Sequence, residues 1–296
     1  MMAFFVRFWG VRGSIPTPGP KTRRYGGNTS CVEIRSDDTL IVCDAGTGLR
    51  ELGVHLMRVP QKNGLTVHLF LSHPHWDHIQ GFPFFGPAYQ KNTTLYVYCP
   101  AGDQQNYRLL SGQMSNAYFP VGFSDLGAKI MPRNFESDTV KAGSFTVRCF
   151  NQKHPGGSLG FRFEHKGNSV VYATDSELDQ LVDRPEKVVD HPDAQRKLPA
   201  DLIKAVKGAD LLISDAQYLD DEYVTKTGWG HPRATTCVDL AGQAKVKQLA
   251  LTHHDPMHSD MQVDLKVASC AERSEQLGYG VQVFGAREGI ELKIGE

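Results

Sequence analysis

The chain has 296 residues, of which 40% are apolar, and its 32 basic and 33 acidic side chains leave a formal charge of −1. This balance excludes a global positive field that would draw the protein onto a polyanion, and the length suits one large domain or two small ones. The six cysteines are scattered without a C-x-x-C pair, which is typical of reduced thiols in a cytoplasmic protein.

The predicted elements alternate between strands and helices along the chain. Strands are expected at residues 4–9, 31–35, 39–43, 66–71, 95–99, 144–151, 160–164, 169–173, 210–214, 246–252 and 280–284, and helices at 49–57, 199–207, 232–244 and 260–277. Ser259 and Gln262 predict a capping box for the last helix. The polar stretch 177–207 is interpreted as irregular structure with a solvated charged face. Because no low-complexity linker divides the chain, we expect one domain over residues 1–296.

The first ten residues are apolar but are interrupted by Arg7, and they lack a basic leader and a cleavage site. They therefore predict a strand rather than a signal peptide. No apolar run approaches the roughly 18 to 20 residues that cross a bilayer. We expect a cytoplasmic protein with no membrane partner.

Potential metal ligands follow several of the predicted strands. Four of them lie within six residues after the strand at 66–71: His73, His75, Asp77 and His78. Three further strand ends supply one candidate each: His154, Asp175 and His253. Imidazole and carboxylate are the usual donors for Zn²⁺ and related ions. Taken singly, each of the last three is more typical of a turn or cap, but seven candidates exceed what one ion of low coordination number can use. The sequence therefore predicts two adjacent metal ions.

The order of these residues resembles that of the metallo-β-lactamase fold hydrolases. H-x-H-x-D-H after a strand is followed by a lone histidine, a lone aspartate and a late histidine, and Asp44 in VCDAG matches the family's first motif. Within that superfamily the chain is most similar to the ribonuclease Z-like phosphodiesterase branch, because of GVRGSIP at 10–16, GHP at 230–232 and LTH at 251–253. The resemblance implies an α/β fold, an αββα sandwich of two mixed β-sheets flanked by helices.

The resemblance also implies a role for each candidate ligand. His73, His75 and His154 would hold one ion, Asp77, His78 and His253 the other, and Asp175 would bridge the two. Asp44 would order its loop and orient ligands without binding metal. Histidine and carboxylate suit Zn²⁺, Mn²⁺ and Fe²⁺ alike, so the identity of the two divalent ions stays open.

Such a centre suits phosphodiester hydrolysis. A hydroxide that bridges two cations is available near neutral pH, and the cations offset charge on a phosphoryl oxygen. His231 matches the branch's histidine near the phosphate, and Asp215 could hold its imidazole in place as a proton donor, so we count both with Asp77 as catalytic residues. The alternative is that His231 merely precedes a helix whose first residue is Pro232.

The spacing of the ligands favours a small substrate. The tRNA-processing enzymes of this branch commonly carry a long arm between the lone histidine and the bridging aspartate, whereas His154 and Asp175 are 21 positions apart, with room for two strands and a turn. We therefore expect a small phosphodiester, with a cyclic nucleotide as one candidate, and consider tRNA a less suitable partner. Arg23, Arg24 and Asn28, at or near a Gly-Gly turn, could present donors to a phosphate, although a simple loop explains them equally well.

Other interpretations stay open at this point. They are a tRNA 3′-processing endonuclease, a hydrolase of β-lactams or thioesters, and a non-catalytic metal-dependent sensing module, since a fold alone does not decide function. The segment 102–132, with Tyr107, Tyr118, Phe119 and Phe123, could form a lid or the contact of a homodimer, or it could pack in the ordinary way.

Overall fold

Two seven-stranded β-sheets form the centre of the protein. The computed structural model describes residues 4–36, 39–59, 64–99, 103–135, 139–183 and 194–295, without the side chains of 103–107. The strands in chain order are β1 (Phe4–Gly10), β2 (Cys31–Ser36), β3 (Thr39–Cys43), β4 (Leu65–Phe70), β5 (Thr93–Tyr98), β6 (Lys129–Arg133), β7 (Thr139–Ala142), β8 (Phe145–Gln152), β9 (Ser158–His165), β10 (Asn168–Ala173), β11 (Leu211–Asp215), β12 (Gln248–Thr252), β13 (Gln282–Gly285) and β14 (Glu291–Ile294).

Both sheets are mixed. The first has the order β14-β1-β2-β3-β4-β5-β6, and the second has the order β13-β12-β11-β10-β9-β8-β7. Strands β3 to β6 are parallel in the first sheet, as are β10 to β13 in the second. Because ligands of open α/β sheets bind outside the carboxyl ends of parallel strands, these two parallel regions are where a functional site is expected.

The helices lie on the outer faces of the two sheets. They are α1 (Gly48–Arg58), α2 (Asp103–Gly112), α3 (Ala200–Val206), α4 (Asp220–Tyr223), α5 (Ala234–Gln243) and α6 (Asp260–Gln276). Leu49 and Leu52 of α1 pack with the outer face of the first sheet, and Val238 of α5 packs with the outer face of the second. A third apolar cluster, with Phe8 and Phe163 among its members, fills the space between the sheets. The predicted αββα sandwich is confirmed.

The predicted strands and helices all occur, but the sequence did not reveal β6, β7, β14, α2 and α4. All three missed strands lie at sheet edges, where short, half-exposed segments lack a continuous apolar run. The predicted capping box is present, since the Ser259 hydroxyl accepts from the Gln262 N–H at 3.4 Å and Gln262 Oε1 accepts from the Ser259 N–H at 2.9 Å. Among the described helices, none is both long and apolar enough to cross a bilayer.

Two of the segments singled out in the sequence contain both buried and exposed side chains. The interpretation of 177–207 as a solvated charged face is wrong for Glu177, Asp179 and Arg196. All three side chains are buried, and each has polar partners inside the protein. Residues 184–193 lie outside the described part. In the segment 102–132, Phe123 packs in the core beneath α1, whereas Tyr118 is 79% exposed. The side chain of Tyr107 lies outside the described residues, and the lid or dimer contact stays a prediction.

Candidate metal centre

The seven predicted ligands converge from four strand ends. The segment after β4 carries His73, His75, Asp77 and His78, while His154 follows β8, Asp175 follows β10 and His253 follows β12. The parallel strands β4, β10 and β12 therefore end at one place between the two sheets. Within the described residues the side chains form three donor groups: His73, His75, His154 and Asp175; Asp77, His78 and His253; and Asp175, Asp215, His231 and His253. Asp175 Oδ1 also lies 3.3 Å from His78 Nε2 and from His253 Nε2, so this carboxylate faces both groups of predicted ligands.

We call the first group the histidine-rich site; it consists of His73, His75, His154 and Asp175. His75 Nδ1 lies 2.9 Å from His73 Nε2 and 3.1 Å from His154 Nε2. Asp175 Oδ2 is 3.5 Å from His73 Nε2 and 3.7 Å from His154 Nε2. Three imidazole nitrogens and one carboxylate oxygen thus surround one point.

We call the second group the buried site; it consists of Asp77, His78, His253 and Asp175. Asp77 Oδ2 lies 3.2 Å from His78 Nε2 and 3.1 Å from His253 Nε2. The other oxygen of Asp175, Oδ1, is 3.3 Å from the Nε2 atom of each of these histidines. The two carboxylate oxygens of Asp175 therefore face different sites.

The spacing of these atoms fits divalent metal ions. Bonds of about 2.0–2.1 Å place the donors of a tetrahedral ion about 3.3–3.4 Å apart, close to the separations in both sites. His78 Nε2 is also buried and makes no hydrogen bond within the part of the chain that the structure describes. Because an unpartnered buried nitrogen is costly, its position beside two carboxylate oxygens, Asp77 Oδ2 and Asp175 Oδ1, indicates a cation ligand.

Hydrogen bonds fix the second nitrogen of four of the imidazoles. The partners are Ser72 Oγ for His73 at 3.0 Å, Asp44 Oδ2 for His78 at 2.7 Å, the Gly230 carbonyl for His154 at 2.9 Å and Gln217 Oε1 for His253 at 2.9 Å. In each case Nδ1 is engaged and Nε2 is left to face the site, which is how outer partners orient metal-binding histidines.

Asp44 joins several of these contacts while lying outside both donor groups. Its carboxylate accepts hydrogen bonds from the Ser72 N–H at 2.7 Å, the Ser72 hydroxyl at 2.8 Å and the Tyr172 hydroxyl at 2.7 Å, in addition to His78. Since Ser72 also contacts His73, one buried carboxylate orients a histidine of each site.

The electrostatics favour the metal-binding protonation state at four of these residues. At His78, burial would lower the pKa, but the carboxylates of Asp77, Asp175 and Asp44 outweigh it and raise that pKa well above its usual value. Burial lowers the pKa of His73 and of His154, which keeps both imidazoles neutral. Burial alone would raise the pKa of Asp77, but His78 and His253 outweigh it and hold that pKa below its usual value. The same histidines, with His73, lower the pKa of Asp175 against the effect of burial. Neutral imidazole and ionised carboxylate are the forms that donate to a cation.

His231 and Asp215 form a pair at the border of the centre. His231 Nδ1 lies 2.8 Å from Asp215 Oδ2 and 3.9 Å from Asp175 Oδ2. Burial favours the neutral imidazole, but the Asp215 carboxylate outweighs it and raises the pKa of His231 to about 9. The helix that follows His231 begins at Ala234, two residues later than predicted, and the alternative in which His231 only precedes this helix stays open.

The backbone is strained where it supports the centre. Non-glycine residues with positive φ include Ser14 at 63°, Asp44 at 60°, Asp175 at 53° and His253 at 55°. Such conformations are uncommon outside glycine and concentrate at functional sites. Asp44, Asp175 and His253 lie one or two residues after the ends of β3, β10 and β12, so the strained conformation occurs where the chain leaves each of these strands.

The loop after β1 contacts the buried site, a feature that sequence reasoning missed. The Ser14 N–H donates to Asp77 Oδ2 at 2.8 Å. A Cβ atom at Gly13 would lie 2.4 Å from His253 Nδ1, so only glycine permits this close approach. The motif GVRGSIP at 10–16 could have indicated a functional loop, but its sequence does not show that this loop contacts Asp77 and His253.

Arg23, Arg24 and Asn28 were predicted to bind substrate, and the structure gives two of them partners within the protein. Arg24 pairs with Asp264, and the Asn28 side chain donates to Glu288 Oε2 at 3.0 Å. Arg23 is exposed. These contacts explain Arg24 and Asn28 without a ligand, and a substrate role for the three stays a prediction.

Comparison with known proteins agrees with the fold. A family model described as a β-lactamase superfamily domain matches residues 39–254. The ribonuclease Z of Natronomonas pharaonis is 31% identical to this chain over an alignment that covers 99% of the chain and 98% of the relative.

Solved structures show the same architecture. The metallo-β-lactamase fold protein YhfI from Bacillus subtilis matches with a TM-score of 0.68 and 21% identity over 99% of this chain and 100% of its own. The short form of human tRNase Z matches at 0.64 and 19% over 99% and 100%, and a diphosphatase from the PhnP family at 0.62 and 18% over 98% and 97%. At these identities the structures show the fold alone.

The chain therefore belongs to the metallo-β-lactamase superfamily, and it is a metal-dependent hydrolase. Its resemblance to the ribonuclease Z-like branch, which the motifs predicted, is confirmed.

Proposed function

We propose that this protein is a two-metal phosphodiesterase that hydrolyses a small phosphodiester, with a cyclic nucleotide as one candidate substrate. The observation that carries the proposal is the division of seven side chains into two donor groups around the two oxygens of Asp175. A structural ion of low coordination number uses about four donors. Two adjacent ions joined by a carboxylate use all seven residues and suit phosphoryl chemistry.

In this proposal His73, His75 and His154 would hold one divalent ion, Asp77, His78 and His253 would hold the other, and Asp175 would contribute one carboxylate oxygen to each. Bound there, such ions lower the pKa of water and offset negative charge on a phosphoryl oxygen. The protein's part is to keep the donors in place through Asp44, Ser72, Gln217 and Gly230, which hydrogen-bond the ligating histidines. Zn²⁺, Mn²⁺ and Fe²⁺ all suit these donors.

His231 is the proposed proton donor to the leaving oxygen. Its Nδ1 is held by Asp215, which leaves Nε2 to contact a substrate oxygen. The carboxylate stabilises the protonated imidazole, and the resulting pKa of about 9 keeps a proton on the ring near neutral pH. A protonated imidazole held in one orientation is suited to general-acid catalysis.

The chain between His154 and Asp175 supports a small substrate. It contains only β9, β10 and their connections, so the structure has no tRNA-gripping arm at this place. The alignment with the Natronomonas pharaonis ribonuclease Z runs over 336 residues, more than the length of this chain, so the relative carries residues without a counterpart here. The formal charge of −1 also gives no general attraction to RNA.

A tRNA 3′-processing endonuclease is the second candidate. It is favoured by one specific observation, namely that several curated relatives carry the name ribonuclease Z. Cleavage of precursor tRNA at a defined 3′ position would support this candidate, and failure to bind tRNA at low salt would eliminate it.

The deciding experiment is a substrate panel on metal-reconstituted protein. It compares bis(p-nitrophenyl) phosphate, cyclic nucleotides, phosphomonoesters and precursor tRNA, with Asp77→Ala as the inactive control. We expect turnover of diesters by the parent protein and none by the variant. A parent that binds two ions and turns over nothing would be a sensing module, and cleavage of tRNA alone would establish the second candidate.

A further inference from the structure

A buried carboxylate outside both donor groups links three segments of the metal centre. Glu177 is 2% exposed and lies two positions after Asp175. Its Oε1 accepts hydrogen bonds from the Tyr223 hydroxyl at 2.7 Å and the Gly228 N–H at 2.6 Å, and its Oε2 accepts one from the Gly230 N–H at 2.9 Å. Both oxygens of this side chain hold the loop 228–230, and Oε1 also holds the Tyr223 hydroxyl.

The same residue closes a circuit of hydrogen bonds around His154. The Glu177 N–H donates to the Lys153 carbonyl at 2.7 Å, directly before His154. His154 Nδ1 donates to the Gly230 carbonyl at 2.9 Å, and the Gly230 N–H returns to Glu177. Because a carbonyl only accepts, Nδ1 carries the proton and Nε2 presents its lone pair to the histidine-rich site.

The glycines of this loop are required by its conformation. Gly228 and Gly230 have φ values of 88° and 94°, which favour glycine. A Cβ atom at Gly230 would lie 2.4 Å from His154 Nδ1, whereas one at Gly228 would meet nothing within 4 Å. The loop therefore packs directly against the ligating imidazole through Gly230.

We propose that Glu177 is a positioning residue that sets the affinity of the histidine-rich site for its metal ion, because it holds the loop whose Gly230 carbonyl orients His154. The inference rests on the two-metal part of the proposed function and is independent of the substrate. Glu177 acts through Gly230 and His154, and the buried site depends on other partners, namely Asp44 and Gln217.

The test is Glu177→Gln, which keeps the shape of the side chain but replaces one acceptor oxygen with a donor. Asp179→Asn is the matched control, because Asp179 is 4% exposed, lies on the same segment and bonds instead to the Arg233 N–H and the Thr236 hydroxyl before and within α5. Zn²⁺ affinity is measured by chelator competition on metal-free full-length protein, and Co²⁺ spectra report the ligand geometry. We expect Glu177→Gln to weaken one of two sites about 10–100-fold, the cost typical of losing an outer partner, and Asp179→Asn to weaken neither.

Equal losses of affinity in both variants, or parent affinity at both sites of Glu177→Gln, would overturn the proposal. If Glu177→Gln does not fold, Gly230→Ala and Gly228→Ala form a second matched pair. Both place alanine at positive φ, but only Gly230→Ala forces a methyl group against His154. We expect the larger loss of affinity in Gly230→Ala, and equal affinities would again overturn the proposal. A parent protein that binds only one ion would instead contradict the proposed function.

Discussion

The two donor groups differ in how far they are removed from solvent. In the buried site Asp77 is 6% exposed and both histidines are fully buried, whereas His75 of the histidine-rich site is exposed. Buried polar atoms need internal partners, and the buried site has them in Asp44 and Gln217. The difference shows that the histidine-rich site, through His75, is the half that contacts solvent.

The largest effect is expected from Asp175→Ala, because this residue contributes to both halves. We expect the variant to lose most of its bound metal and its turnover to fall by more than the roughly 10–100-fold typical of an outer partner. Metal content measured by inductively coupled plasma mass spectrometry, with Asp179→Asn as control, checks the expectation. Retention of two ions would remove Asp175 from its proposed bridging role.

Asp77→Ala and His75→Ala separate the two halves. Each substitution removes a donor from one site only, so each variant should keep one ion and lose turnover, since the proposed reaction needs both. Co²⁺ absorption should show different bands in the two variants, because the remaining ligands differ. Identical spectra would show that the two groups are not independent sites.

His231→Ala tests a residue that belongs to neither half. We expect both ions to remain bound and turnover to fall about 10²- to 10⁴-fold, the usual range for loss of a general acid. Asp215→Asn should have a smaller effect in the same direction, because the imidazole stays in place without its carboxylate. Loss of metal from His231→Ala would indicate a ligand instead of a proton donor.

The smallest effect is expected from Gly13→Ala, which acts on the buried half alone. The added methyl group would push against the His253 imidazole, at a cost of about 1–3 kcal/mol in the free energy of unfolding. Thermal denaturation and metal titration would measure it, with Gly19→Ala as control, since a Cβ there meets nothing within 4 Å. Equal stability and metal affinity in the two variants would show that the close contact between Gly13 and His253 is unimportant.

The two donor groups were predictable because each ligand follows a buried strand closely in sequence. The apolar strand β4 is followed within a few residues by the ligand segment from His73 to His78, and such a local pattern can be read from the sequence. The later single ligands follow β8, β10 and β12 in the same way. Their division into two groups came from the resemblance, and the distances around Asp175 agree with it.

The supporting residues could not be predicted, because tertiary pairing alone brings them to the centre. Gln217 lies 36 positions from His253, and Ser14 lies 63 positions from Asp77. Glu177 was interpreted as part of a solvated stretch, since local polarity does not show that a carboxylate has three hydrogen-bond donors from a distant segment of the chain. The sequence predicted the strands that are central and apolar, and it missed the half-exposed edge strands β6, β7 and β14.

The central claim is that these side chains hold two divalent ions. Native mass spectrometry of the parent protein after reconstitution with Zn²⁺ and removal of free metal tests it most directly. We predict a mass increase of two zinc ions per chain. A single zinc ion per chain, bound under conditions of excess metal, would contradict the account.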